Sequence, residues 1–406
     1  MKNTFTFLFL IVFSLNLFAE KLNYTFERVT PLSGISFTGV STISEDKNGF
    51  IWVGGETGVF FFDGMFFKHY RDNKDSGLPS VWIFDIINDS EGQLWFATEK
   101  GLAFFDSMQD CFCSIDFFYG KFVEQLSEIR DGIFIVLADE KLYLYDKKQK
   151  KAELLPRQPE KISTFVLSNN KKIYAGTKDG IVCELSLNET DSYKCIFNKI
   201  NDEVNCICID NDWLYLGYNN SGICVVNSEG ERIKAYSVSE KKEEFILPDN
   251  KVRAIVKRNN GEIWVGTYSG LAIINSNEVS VFNNVNSALP SSSVYDIFID
   301  SKSTVWISTW SGGIAKYTPY GSHFLGESYY LTSESKFGVV TSFATSAYGQ
   351  CVLIGTENNG LYLYNYVISE TMKRYSSPVH IKAMLRYNDK VLLGALEGIF
   401  LFDEFT

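Results

Sequence analysis

The sequence is short of positive charge, short of histidine and without helical periodicity. Lys and Arg total 38 against 49 Asp and Glu, a formal net charge of −11. A surface of that sign repels polyanions at long range, which excludes general nucleic-acid binding. The 3 histidines, His69, His323 and His380, are too few and too scattered for an imidazole metal centre, so neither metal nor cofactor is expected. No Gly-x-Ser-x-Gly elbow, His-Glu-x-x-His pair or phosphate-cradling glycine loop occurs, and no catalytic residue is assigned. Past the N-terminal segment, no apolar run reaches the roughly 20 residues of a membrane span.

What is present begins with a leader. Lys2 precedes an apolar run from Phe5 to Leu17, and Ala19 stands just before Glu20. This layout predicts a secretory signal peptide over 1–19, cleaved after Ala19, and a periplasmic or secreted mature chain without a membrane span. Exported chains often pair their cysteines. Here Cys183, Cys206, Cys208 and Cys224 fall inside apolar strand-like runs, and Cys351 sits beside one. Cys111 and Cys113, like Cys206 and Cys208, have the i, i+2 spacing of one strand face. Buried thiols are expected, with a disulfide between neighbouring strands as the alternative.

The dominant signal is an internal repeat. The segment VSTISEDKNGFIWVGGETGVFFFD, Val40 to Asp63, aligns with the segments starting at Ile83, Val252 and Val294. Looser copies begin near Val123, Ile162, Val204, Val340 and Ile381. One large residue recurs in the same slot of most copies, at Trp52, Trp95, Phe134, Tyr174, Tyr215, Trp264 and Trp306, with Val352 and Leu392 in the last two. Each copy reads as a first apolar run, an Asp-x-x-Gly type turn, a second run carrying the Trp, a tight hairpin with glycine, and two further short runs. Asp opens such turns by accepting from backbone amides, and glycine closes them at positive φ. Four antiparallel strands about every 40 residues describe propeller blades, each needing neighbours on both faces. The predicted fold is therefore an all-β propeller of four-stranded blades with about nine repeats. A stacked solenoid is the competing architecture.

Tyr24 to Val29 resembles the fourth strand of a blade, and two arrangements use it. Repeats one to seven, over 20–324, form a seven-bladed ring while repeats eight and nine, over 325–406, start a second propeller. Alternatively, nine blades form one ring whose last blade borrows Tyr24 to Val29. Seven-bladed rings are the commoner.

At Asp46-Lys-Asn-Gly-Phe-Ile-Trp-Val-Gly-Gly-Glu-Thr-Gly and Gly261-Glu-Ile-Trp-Val-Gly-Thr-Tyr-Ser-Gly-Leu, the repeat resembles the two-component regulator propeller family. The opening, Tyr24-x-Phe26 followed by Leu32-Ser-Gly34-Ile35-Ser36, resembles it too. The resemblance implies a periplasmic sensor region of a hybrid two-component system, an oligosaccharide ligand, and a membrane histidine kinase or a second copy of the chain as partner. Family sensors usually carry about fourteen repeats followed by a β-sandwich, a membrane helix and kinase modules. None follows Thr406, so a severed sensor or a free-standing binding protein is expected.

Asp46, Asp89, Asp210 and Asp300 occupy the same turn of different copies, and symmetry spreads them apart, so they are read as turn formers. Their spacing to Trp resembles the Asp-box of sialidase propellers, one residue longer. Such enzymes need a central arginine cluster, and here Arg253 is the only arginine near the start of a first strand. The basic run Lys147-Lys148-Gln149-Lys150-Lys151 reads as a solvated turn. One propeller rim gathers the second hairpin of each copy and the opening of each first strand. That rim would present Glu56, Lys100, Asp179, Asn220, Tyr268, Trp310 and Asn358, with Trp82 and Tyr295 at first-strand openings. Aromatic rings stack on apolar sugar faces while polar groups bond hydroxyls. Trp82, Tyr268, Tyr295, Trp310, Lys100 and Asn358 are accordingly the predicted ligand-binding residues.

Overall fold

The structure is a computed structural model describing residues 24–29, 39–71, 76–187, 193–238, 246–275, 278–319, 339–365 and 370–404. The leader over 1–19 and the segment 32–36 lie outside the described residues. Two units are distinguished, Met1–Pro319 and Tyr320–Thr406.

The Asp-x-x-Gly turns and glycine hairpins make every repeat a self-contained antiparallel sheet. Among the described residues there are eight sheets of four strands, one of three, and a single short 3-10 turn at Asp116–Phe118. Sheet one runs Val40–Glu45, Ile51–Gly55, Gly58–Phe62 and Phe67–Tyr70, paired in that order. Sheet two repeats the pattern with Ile83–Asn88, Leu94–Thr98, Gly101–Asp106 and Cys111–Ser114. Because strands pair within copies and not from copy to copy, the solenoid is excluded.

In the first unit the first strand of each sheet packs on that of the next, and the seventh sheet's first strand, Val294–Ile299, packs back on Val40–Glu45. This closes a circle of seven sheets. Glu27–Val29 supplies the outermost strand of sheet seven, with Val29 opposite Ile314 and Glu27 opposite Lys316. Tyr24 to Val29 thus completes the sheet of the seventh repeat.

The recurring large residue is an inter-sheet wedge. Trp52 packs 4.9 Å from Phe105 of sheet two, Trp95 packs 4.7 Å from Phe134 of sheet three, and Trp306 packs 6.2 Å from Phe62 of sheet one. Trp95 and Trp264 are fully buried. Burying one such side chain contributes about 1.5–3 kcal/mol. Glycine in the second strand lets the sheets approach: a Cβ on Gly54 would stand 2.7 Å from Ile83, and one on Gly266 2.7 Å from Val294.

The turn acids hold these wedges in place. Asp46, Asp89 and Asp300 each accept two backbone amides with one carboxylate oxygen. With the other they accept the indole Nε1 of Trp52 at 3.1 Å, Trp95 at 2.9 Å and Trp306 at 2.9 Å. Asp210 departs from the pattern: its strand turns after two residues, placing it opposite Trp213, and it pairs with Lys257 of sheet six. In sheet six Glu262 takes over the role, accepting from Trp264 Nε1 at 3.0 Å, Arg258 at 2.7 Å and Tyr24 at 2.9 Å. Within the basic run, Lys147 is engaged with Asp89 and Glu91, and Asp146 accepts the amides of Lys148 and Gln149.

All eight cysteines are thiols: Cys183 and Cys224 are buried, Cys195 is exposed and the other five are half-buried. In the second unit, sheet eight (Val340–Thr345, Cys351–Thr356, Leu361–Asn365, Glu370–Tyr375) packs on sheet nine (Ile381–Tyr387, Lys390–Ala395, Gly398–Asp403) through Leu353, Leu363, Ile381 and Leu393. No helix among the described residues is long and apolar enough to cross a membrane.

Candidate ligand-binding site

Every first strand carries a β-bulge directly after its first residue. A bulge leaves its extra residue out of the ladder and re-aims its side chain. Around the ring these positions are Ser41, Phe84, Glu124, Ser163, Asn205, Arg253 and Tyr295. Three are short polar residues that fasten each sheet to the next. The hydroxyl of Ser41 donates to the carbonyl of Ile83, that of Ser163 to Val204 at 2.7 Å, and the Asn205 amide to Val252 at 2.8 Å. The other four are large, and they give the ring mouth its chemistry.

In sheets six and seven the bulge residues stack. The Arg253 guanidinium lies 3.5 Å from the Tyr295 ring centroid and 5.4 Å from that of Tyr268. Tyr295 in turn stacks on Trp310 at 4.9 Å and 23°. Tyr268 and Trp310 sit on the second hairpins of their sheets, held by amide donation to Lys251 and Ser293 carbonyls. Both rings remain open to solvent, 54% for Tyr268 and 42% for Trp310. Burial pulls the Arg253 pKa down to about 10, against the raising influence of Tyr268 and Asp249. A cation over an aromatic face is attracted by about 0.5–2 kcal/mol, more as it is desolvated.

The remaining large bulge residues differ. Phe84 belongs to a second aromatic group, 6.2 Å from Trp82 and 4.7 Å from Phe122, with Trp82 39% exposed. Burial pushes the Glu124 carboxyl up to about 7, opposed by Lys178 and reinforced by Glu140.

One residue further along the first strands, Asp85, Gln125 and Asp296 serve the next sheet's inner edge. They accept the amides of Leu126 at 3.0 Å, Phe165 at 3.0 Å and Ile43 at 2.9 Å. Burial raises Asp85 to about 7 and Asp296 to about 6, each held back by those amides. These acids satisfy edge groups that the sheet leaves open.

The structure therefore brings Tyr268, Tyr295 and Trp310 together and adds Arg253. Trp82 lies in the separate group of sheets two and three. Lys100 is exposed on the hairpin of sheet two, where its carbonyl accepts the amide of Gly120. Asn358 is exposed on the hairpin of sheet eight, in the second unit. Arg253 was visible in the sequence as an arginine opening a first strand; its partnership with Tyr295 depends on two bulges in neighbouring sheets.

Four segments, 34–57, 77–100, 246–269 and 288–311, match the family model described as two component regulator propeller. Over 62 residues the chain is 40% identical to Histidine kinase P4 of Formosa agariphila, covering 15% of this chain and 4% of that protein. Among solved structures, it is similar to the extracellular domain of a putative hybrid two component system from B. thetaiotaomicron, at 20% identity and TM-score 0.61, covering 94% of this chain and 54% of that one. The extracellular domain of a putative one component system from the same organism gives 16% identity and TM-score 0.62, covering 94% and 53%. The chain thus spans about half the length of these solved domains.

Proposed function

The chain carries repeats of the two-component regulator propeller family, and on that premise we propose that it is an extracytoplasmic sensor module that binds an oligosaccharide at the mouth of its seven-sheet ring and catalyses nothing. The observation that carries this reading is the Arg253–Tyr295–Trp310 stack with Tyr268 beside it: a desolvated cation among rings that stay open to solvent. Structural packing needs no such exposure, whereas sugar recognition uses apolar ring faces next to fixed polar donors. The absence of catalysis is supported by the turn acids, whose carboxylate oxygens are taken up by amides and indoles. Residues 1–19 direct export, repeats eight and nine belong to a second propeller, and the signal passes to a membrane histidine kinase or through a second copy of the chain.

The test is a glycan array followed by calorimetry. Trp310→Ala and Tyr268→Ala should each weaken the array's best binder about tenfold, with the thermal midpoint unchanged. Affinity unaffected by both would remove the stack from the site. A silent array beside capture of a defined protein partner would replace the sugar-binding reading with a scaffold.

A further inference from the structure

The arginines of the ring are satisfied in different ways. Arg258 donates to Glu262, and Arg28 to the carbonyls of Leu289 and Pro290. Arg253 stands apart, because its Nη1 is buried and meets no acceptor among the described residues. The acid that influences it, Asp249, is committed elsewhere: Oδ1 accepts the Lys251 amide at 2.8 Å and Oδ2 the Ser269 hydroxyl at 2.6 Å. Buried donors without acceptors are costly, and a buried cation without an anion more so.

Arg253 as a whole is only half-buried, and its guanidinium lies over Tyr295 beside the solvent-open ring of Tyr268. A neutral hydroxyl ligand would accept a hydrogen bond from the guanidinium and leave the partly desolvated charge uncompensated. An anion satisfies both, and a planar carboxylate matches the guanidinium geometry. Resting on the reading of this stack as an oligosaccharide site, we propose that Arg253 receives a carboxylate, so that the ligand is an acidic oligosaccharide carrying a uronic acid. Its carboxylate accepts from the Arg253 guanidinium, and an apolar sugar face lies on Trp310 or Tyr268. The chain's net charge of −11 makes this an attractive island in a repelling surface, which favours a ligand of few charges over a polyanion.

The experiment uses the whole chain and an array of neutral oligosaccharides, uronate oligosaccharides, their methyl esters and sulfated oligosaccharides, with calorimetry on the hits. Uronates should bind, and their methyl esters should bind about 10- to 100-fold more weakly, the worth of one charge-assisted contact. Arg253→Met should reproduce that loss and Arg253→Lys part of it. Neutral sugars or esters binding as tightly as uronates would overturn the carboxylate while leaving oligosaccharide binding intact. Recognition confined to sulfated members would overturn it as well, and an array without any binder would sink both readings. The ester comparison needs no variant, so it decides the matter even where the Arg253→Met protein misfolds.

Discussion

The same repeat meets two fates in this molecule. In sheet two the third strand, Gly101–Asp106, is buried along most of its length, with Leu102 and Ala103 at 0% exposure. In sheet nine the equivalent strand, Gly398–Asp403, is apolar too, yet Ile399 is 82% exposed and Leu401 56%. The wedge slot follows suit: Trp95 is fully buried, whereas Leu392 is half-buried. Local chemistry builds a sheet in either case. What turns apolar content into stability is a neighbour on each face, which the circle of seven supplies to every member.

The contrast can be attacked at several points, the heaviest first. Trp95→Ala should cost about 3–5 kcal/mol in chemical denaturation of the ring, the range for a large aromatic removed from a packed core. Val29→Asp should cost about 2–4 kcal/mol by placing a charge where Val29 is buried against the first sheet. Hydrogen exchange should then speed up across Ile314–Tyr317 while the 339–404 amides keep their rates. Slowed or unchanged exchange at Ile314–Tyr317 would deny the strand its closing role. Leu392→Ala should cost only about 1 kcal/mol, since a half-buried side chain gives up less on truncation. A cost equal to that of Trp95→Ala would erase the distinction between the two units.

A subtler difference lies in pH. Asp85 and Asp296 have folded pKa values, about 7 and about 6, above the ordinary 3.8. Their contribution to stability is therefore full below pH ~4 and is lost as pH rises toward 7. Replacing both by Asn keeps an acceptor for the Leu126 and Ile43 amides and removes the buried charge. The double variant should exceed the parent by about 1–3 kcal/mol at pH 8, with the gap closing as pH falls to 4. Denaturation curves at the two pH values check this, and a gap that widened on acidification would refute the assignment.

Much of the ring was legible because each repeat solves one problem with one set of residues. The Asp at the turn and the Trp six positions later form a hydrogen-bonded pair, so their spacing in sequence reports a contact in space. Where another residue meets the need from a different position, legibility fails. Glu262 replaces the turn acid from only two positions before Trp264, and Asp210 keeps the letter of the motif in a tighter turn without its contact. The candidate site was half visible. Tyr268 and Trp310 stood out as aromatics in a turn slot, but the sheet-to-sheet stacking of Arg253, Tyr295 and Trp310 is set by bulges with no sequence signature of their own. Tyr24 to Val29 could be recognised as a fourth strand. Which sheet it completes is a matter of circumference, and no local pattern encodes that.

That strand has a consequence for how the protein is made. Contacts across the seam join residues far apart along the chain, such as Ile43 with Asp296 at 253 positions and Arg28 with Leu289 at 261. During synthesis the segment emerges well before its partner strand and must wait until Ile314–Tyr317 has followed. Its brevity and its two charges, Glu27 and Arg28, suit that interval, because short charged strands make poor templates for stray pairing.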